Sequence, residues 1–124
     1  MGLYVYWDED KPHTIRVDIV GVWVWEDYHT QLALFSDTMT ETIARACIVD
    51  MRHTQVLPAQ NALHHLRQIL DQTPALAIII VSNSTQLNSM VTVLKRAIPD
   101  ASMMMHVVQT LQQAYTIIDE QLND

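Results

Sequence analysis

The sequence has few glycines and cysteines, and each shortage argues against a class of protein. Two glycines in 124 residues cannot build glycine-rich phosphate loops, and no P-loop, Gly-x-Gly-x-x-Gly or Gly-x-Ser-x-Gly motif occurs. The one cysteine, Cys47, cannot form an intramolecular disulfide, which favours a reducing compartment. These absences favour a protein that is not an enzyme and that is cytoplasmic.

Basic residues are also scarce. Seven Lys and Arg stand against 14 Asp and Glu, which gives a formal net charge of −7. Because the basic residues are spread along the chain, nucleic acid is not an expected partner. The longest strongly apolar run, Ala75 to Val81, is far shorter than the roughly 20 residues of a spanning helix, so we expect no membrane insertion.

What the sequence does contain is a regular alternation of apolar segments. Leu3–Trp7 is rich in aromatic and β-branched residues, and apolar residues alternate with polar ones over Thr14–Val20. A polar turn between these two strands predicts an antiparallel hairpin. From Tyr28 to Ile43 the apolar residues recur every three or four positions, which predicts a helix.

Strands and helices alternate through the rest of the chain. Strands are predicted at Cys47–Val49, at Leu76–Val81 and, more weakly, at Met103–Met105. Helices are predicted after Pro58, after Ser84 and after Thr110, which has capping-box spacing to Gln113. The order β-β-α-β-α-β-α-β-α is typical of an α/β fold with a mixed, mostly parallel five-stranded sheet and four helices. Since 124 residues suit one domain and no linker is present, residues 1–124 are interpreted as a single domain.

Four short parts of the chain stand out, namely residues 21–28, residues 48–52, Pro58 and residues 111–114. They resemble the STAS fold of anti-sigma-factor antagonists and of sulfate-transporter tails. The chain looks most like the uncharacterised bacterial STAS-like proteins, and the resemblance covers nearly the whole topology. It implies a non-catalytic protein-interaction or regulatory domain.

One feature of such antagonists is missing. In that family a partner kinase phosphorylates a serine at the start of the helix that follows the strand ending in aspartate. Here the corresponding positions after Asp50 hold Pro58, Ala59 and Gln60, followed by Asn61, and none has a hydroxyl group. The nearest hydroxyl, on Thr54, comes too early, so the usual phosphoacceptor is not expected.

Candidate binding residues follow two predicted strands. In a parallel sheet the carboxyl ends of the strands meet at one edge, which brings together Asp50, Arg52, His53, Ser82 and Asn83. Arg52 suits a small anionic ligand or an acidic side chain of a partner. The alternative is that Asp50 and Arg52 simply pair with each other. His53 is the candidate for an acid or base in a third, enzymatic hypothesis.

Trp23 and Trp25 lie on one side of an extended segment, because side chains alternate along it. They form either part of the core or an exposed patch for a partner or a second copy of the chain. The six histidines have no metal-binding spacing, and neither a metal nor a cofactor is expected. Cys47 is expected to be a small buried hydrophobe.

Two functional hypotheses remain open. The leading one is a protein-interaction domain that self-associates as a homodimer. The alternative is a small-ligand or lipid-binding sensor or carrier, since STAS-like folds resemble lipid-carrying relatives and the apolar helices could open a pocket.

Overall fold

The computed structural model describes most of the chain as an α/β structure. The described residues are 2–39, 44–54, 58, 61–62, 64–65, 67–68, 77–97 and 105–121. They contain five strands, which are β1 (Gly2–Trp7), β2 (Thr14–Val20), β3 (Ala46–His53), β4 (Ala77–Val81) and β5 (Met105–Val108). They also contain three helices with defined bounds, which are α1 (Trp25–Met39), α2 (Thr85–Ala97) and α3 (Leu111–Gln121).

The five strands form one sheet in chain order, from β1 at one edge to β5 at the other. The β1–β2 hairpin is antiparallel, and β2 through β5 are parallel. This confirms the mixed, mostly parallel five-stranded sheet that the sequence predicted.

Among the described residues, three of the four predicted helices have defined bounds. Most of the helix predicted after Pro58 lies outside the described residues. Five described residues in that stretch have helical backbone, namely Ala62, His64, His65, Arg67 and Gln68. The weak strand prediction also shifts, because β5 begins at Met105 and the two methionines before it lie outside the described residues.

The first face of the sheet carries the larger hydrophobic cluster. Alternate side chains of the strands point to it, among them Ile15, Val17, Val49 and Ile80. Helices α1 and α2 both pack here, with α1 contributing buried Trp25, Tyr28, Leu32 and Phe35 and α2 contributing Val91. Right-handed crossovers between strands placed in chain order require their helices to share one face, as these two do.

The second face is covered by α3 alone among the three bounded helices. Ala114 and Ile118 of this helix pack on Ile48, Ile79 and Val81. The helix begins with the predicted capping box, in which Gln113 N–H donates to Thr110 Oγ1 at 3.1 Å and Thr110 N–H donates to Gln113 Oε1 at 3.2 Å. Because α3 lies over β3, β4 and β5, Tyr4 and Tyr6 at the β1 end of this face stay exposed.

Candidate functional site

Asp50 and Arg52 lie within strand β3, where the sequence analysis placed a loop. Both side chains are on the second face, and Arg52 binds the Asp50 carboxylate through Nε at 2.9 Å and through Nη2 at 2.8 Å. The backbone N–H of Arg52 donates to the same carboxylate at 3.1 Å. The geometry therefore matches the structural alternative, in which this guanidinium is already paired with a carboxylate.

Arg16 on β2 is the centre of a larger charged network on the same face. This side chain is within 2.8 Å of Asp18, 3.4 Å of Asp8 and 3.7 Å of Asp50, and the residue is only 8% exposed. Tyr115 of α3 donates to Asp8 at 2.8 Å and accepts from Arg16 at 3.3 Å. The network thus joins the end of β1, two strands and α3 through groups that compensate one another's charge.

The protonation of this network is fixed by its own contacts. Burial alone raises the pKa of Asp50, but the hydrogen bonds from Arg52 and the charges of Arg52 and Arg16 outweigh it, so the pKa lies below its usual value. Tyr6 donates to Asp18, and burial together with this bond raises the pKa of Tyr6 to about 12. At neutral pH the Asp50 carboxylate is ionised and the Tyr6 phenol is protonated, which suits a structural role better than proton transfer.

The other residues predicted at the carboxyl edge do not join this network. Asp50 is paired in register with Val81, so Asp50 and Ser82 lie at the same edge as predicted. Ser82 is fully buried, and its Oγ accepts the Ser84 N–H at 3.2 Å, which occupies it in the turn before α2. Asn83 and His53 are both exposed.

Two hydroxyl or thiol groups with possible chemistry are buried. The Thr54 hydroxyl donates to the Gly21 carbonyl at 2.5 Å, and Gly21 N–H donates to the His53 carbonyl at 2.9 Å. Gly21 has a φ of 79°, which favours glycine at this bend after β2. Cys47 is buried, and burial raises the pKa of its thiol to about 12, in line with the expected inert hydrophobe.

Trp23 and Trp25 belong to the core, so the structure matches the first of the two alternatives and not an exposed tryptophan patch. They are 2% and 7% exposed, and their rings meet edge to face with centroids 4.9 Å apart. Tyr28 packs against both rings from α1. The residues between and beside them, Val22 and Val24, carry the exposed apolar surface of this segment instead.

Trp25 forms the wall of a surface pocket at the carboxyl edge of the sheet. Its indole Nε1–H donates to the Pro58 carbonyl at 2.8 Å, and its ring stacks on His65 at 5.3 Å with an angle of 11°. The pocket has a volume of about 580 Å³. It is lined by Val24, Trp25, Glu26, His29, Thr30, Pro58, Asn61 and His65.

Two histidines meet in the wall of this pocket, which we name the Trp25 pocket. His29 Nε2 lies 2.9 Å from His65 Nδ1, while His29 Nδ1 is buried and makes no hydrogen bond. Burial, followed by the nearby His65 and His64, lowers the pKa of His29. A second proton on His29 would bury an N–H group without an acceptor, which gives this pKa direction a structural reason. Among the described residues, no group of three His, Cys, Asp or Glu side chains is arranged to hold a metal ion.

Sequence reasoning missed both groupings. Arg16 was treated as a scattered basic residue, yet an Arg between hydrophobic strand residues, flanked by Asp18, is a signal of a paired charge on a half-covered face. The contact between His29 and His65 joins two segments that are distant in sequence, so no local sequence pattern predicts it.

Comparison of the chain with protein-family models, with curated proteins and with solved structures finds no match. In the part of the chain that the structure describes, none of the helices has the length and apolar character needed to cross a membrane.

Proposed function

We propose that this chain is a non-catalytic, STAS-like protein-interaction domain and that it self-associates through the outer edge of β1. The observation that carries this proposal is the exposed apolar surface of the N-terminal hairpin. Tyr4 is 57% exposed, Tyr6 is 37% exposed and Val20 is 45% exposed, all on the half of the second face that α3 leaves open. Clustered apolar exposure of this kind is typical of interaction surfaces.

Strand β1 also lacks the usual protection of an edge strand. Its residues Gly2–Trp7 include no charged side chain and no proline, and its pairing with β2 is regular over the whole strand. Exposed edges without such features pair readily with another strand. The edge is therefore suited to adding a strand from a second copy.

The hairpin register indicates which backbone groups of β1 point outward. Asp8 N–H donates to the Thr14 carbonyl at 2.8 Å. Since hydrogen-bonded pairs alternate along an antiparallel ladder, the outward N–H groups are those of Leu3, Val5 and Trp7. Two copies paired about Val5 would place Tyr4 of each opposite Tyr6 of the other, an aromatic cross-strand pair.

The residues proposed for chemistry support a non-catalytic role. The Arg52 guanidinium is paired with Asp50, Ser82 is buried, and the Cys47 thiol is protonated in the core. Thr54, the hydroxyl nearest to the missing phosphoacceptor position, is buried and donates to a backbone carbonyl. A regulatory domain of this design would not be switched by phosphorylation at that position.

Sedimentation equilibrium of the purified chain over a wide concentration range tests the proposal. We expect a monomer–dimer equilibrium that tightens with added salt, because each copy carries a net charge of −7 and salt screens their repulsion. The double variant Tyr4→Lys and Tyr6→Lys places lysines opposite lysines across the edge, and we expect dimerisation about tenfold weaker or more.

The matched control is the double variant Leu34→Lys and Val93→Lys, which changes two exposed apolar residues on α1 and α2. It should dimerise as the unmodified chain does. A chain that remains monomeric at millimolar concentration in high salt, or a control variant that dissociates as fully as the hairpin variant, would show that the proposal is wrong.

A second candidate function, the binding of a small ligand, is favoured by one observation. The Trp25 pocket has a volume of about 580 Å³, within the range of natural ligand sites, and it combines aromatic walls with a few polar groups.

A further inference from the structure

We infer that the Trp25 pocket binds a small organic cation, an ammonium or amidinium group carried on an apolar or aromatic body. The inference rests on the second candidate function, ligand binding, and is independent of self-association through β1. It specifies the chemical class of the ligand from the charges and ring faces that line the pocket.

The position of the pocket is fixed by three parts of the fold. The segment after β2 supplies Val24, the first two turns of α1 supply Trp25, Glu26, His29 and Thr30, and the segment after β3 supplies Pro58, Asn61 and His65. The bonds from Trp25 to the Pro58 carbonyl and between His29 and His65 hold the two sides of the pocket together. A site whose walls are linked in this way is formed before a ligand arrives.

The sign of the ligand charge follows from Glu26. Among the described residues that line the pocket, Glu26 is the single acidic or basic side chain apart from the histidines, and it makes no hydrogen bond or ion pair there. An anion at the α1 N-terminus would meet Glu26 and also Asp27, whose carboxylate already accepts the Val24 N–H at 3.3 Å. A cation would pair with Glu26 and is favoured by the net charge of −7 over the chain.

The two histidines do not both carry a positive charge. The hydrogen bond between His29 Nε2 and His65 Nδ1 needs one ring nitrogen to accept, so at least one of the two imidazoles is neutral. Burial and the neighbouring His65 and His64 lower the pKa of His29, which keeps this ring neutral at pH 7. Glu26 thus supplies the negative charge of the pocket.

The aromatic lining suits the body of such a ligand. The indole N–H of Trp25 is already bonded to the Pro58 carbonyl, so the ring has no free donor for an anion. Trp25 and His65 stack nearly parallel, and both rings line the pocket. Aromatic surfaces attract both cations and flat apolar groups.

Titration of the 124-residue chain with benzamidinium and with benzoate tests the inference, because the two probes have nearly the same shape and opposite charge. Binding is followed at pH 7 by NMR through the indole N–H signal of Trp25, with the signals of Trp7 and Trp23 as references in the same molecule. We expect saturable shifts at Trp25 with benzamidinium, and binding of benzoate at least about tenfold weaker.

Two variants assign the effect to Glu26. Glu26→Gln keeps the size of the side chain and removes its charge, and we expect the affinity for benzamidinium to fall about tenfold. Glu120→Gln makes the same change on the exposed surface of α3, on the other face of the sheet, and should leave the affinity unchanged. Thermal denaturation of both variants verifies that they remain folded.

Each contrary result has a distinct meaning. If benzoate or neutral benzyl alcohol binds as tightly as benzamidinium, the pocket takes ligands but the inferred cation preference is wrong. If Glu26→Gln binds benzamidinium as the unmodified chain does, Glu26 does not select the ligand and the inference fails. If none of the probes binds at millimolar concentration, the inferred cation site is wrong, while self-association is unaffected.

Discussion

On the first face of the sheet, α1 and α2 pack on a hydrophobic cluster that includes residues of all five strands, whereas on the second face α3 lies mainly over β3, β4 and β5 and reaches β2 through the contact of Tyr115 with Arg16. The sequences of β4 and β2 reflect this difference in helix coverage. In β4 every residue from Ala77 to Val81 is buried and apolar, because helices cover both sides of it. In β2 the first-face residues are apolar, while Arg16 and Asp18 face the partly open side.

The boundary between covered and open surface on the second face is where the charged network lies. Arg16 sits beside α3 and is nearly buried, and the side chains around it become more exposed with distance from the helix, from 3% at Asp8 to 27% at Asp18. This face changes from a dry interface under α3 to a solvated surface near Tyr4 and Tyr6. Because the network pairs the carboxylates at this boundary, none of them is buried without a partner. The first face needs no such transition.

The largest expected effect comes from removing the centre of this network. Arg16→Met leaves Asp8, Asp18 and Asp50 without their shared cation, and we expect a loss of about 3–5 kcal/mol in the free energy of unfolding. Urea denaturation at pH 7 measures it. Arg52→Met is the matched control, since Arg52 is more exposed and Asp50 would keep its contact with Arg16, so a loss of about 1 kcal/mol is expected. Equal losses would mean that the network is not centred on Arg16.

A smaller effect is expected at the start of α3, the helix that covers the second face. Thr110→Ala removes one half of the capping box and should cost about 1 kcal/mol. Amide hydrogen exchange should then quicken in α3 while α1 is unchanged. Thr116→Ala makes the same substitution at an exposed site later in α3, where the hydroxyl only bonds back to Gln112, and should change stability by less than about 0.5 kcal/mol. Faster exchange in both helices would contradict a local role for the cap.

The sequence predicted those features that depend on neighbouring residues. The alternation over Thr14–Val20, the apolar run ending at Val81 and the capping box at Thr110 are all local patterns, and the structure has each of them. The burial of Cys47 also follows from its apolar neighbours. Local spacing was sufficient because the period of the side chains fixes which face is buried.

Features that depend on distant contacts were not predicted. Strand β3 extends to His53 because Gly21 and Thr54 tie its end to the bend after β2, and this moved Asp50 and Arg52 from a loop into the sheet. The charged network draws on Asp8 and Tyr115, which are far apart in the sequence. Trp25 is buried because the segment around Pro58 closes over it. Such long-range contacts follow from the fold, and no local sequence pattern predicts them.

The smallest expected effect concerns how the two faces respond to acid. On the first-face side, burial and then His65 and His64 lower the pKa of His29, so the unfolded chain binds this proton more readily than the folded one. Stability from His29 is therefore complete well above pH 6.5 and declines as the pH falls below that value. On the second face, burial raises the pKa of Asp8 and Asp50, but their hydrogen bonds outweigh it and lower both. Their contribution persists at pH 5 and is lost only as the pH falls below about 3.8.

Melting temperatures measured from pH 8 to pH 2.5 separate the loss of stability caused by His29 from the loss caused by Asp8 and Asp50 at lower pH. His29→Gln should reduce the fall in melting temperature between pH 7 and pH 5 and leave the fall below pH 3.8 unchanged. Asp50→Asn should reduce the fall below pH 3.8 and leave the fall between pH 7 and pH 5 unchanged. His106 also contributes to the fall in melting temperature between pH 7 and pH 5, because burial and then Lys95 lower its pKa. His106→Gln is therefore the control that measures the contribution of His106. A His29→Gln protein with the same slope as the unmodified chain between pH 7 and pH 5 would mean that the His29–His65 contact does not persist in solution. In that case the two walls of the Trp25 pocket would be joined only through Trp25 and the Pro58 carbonyl.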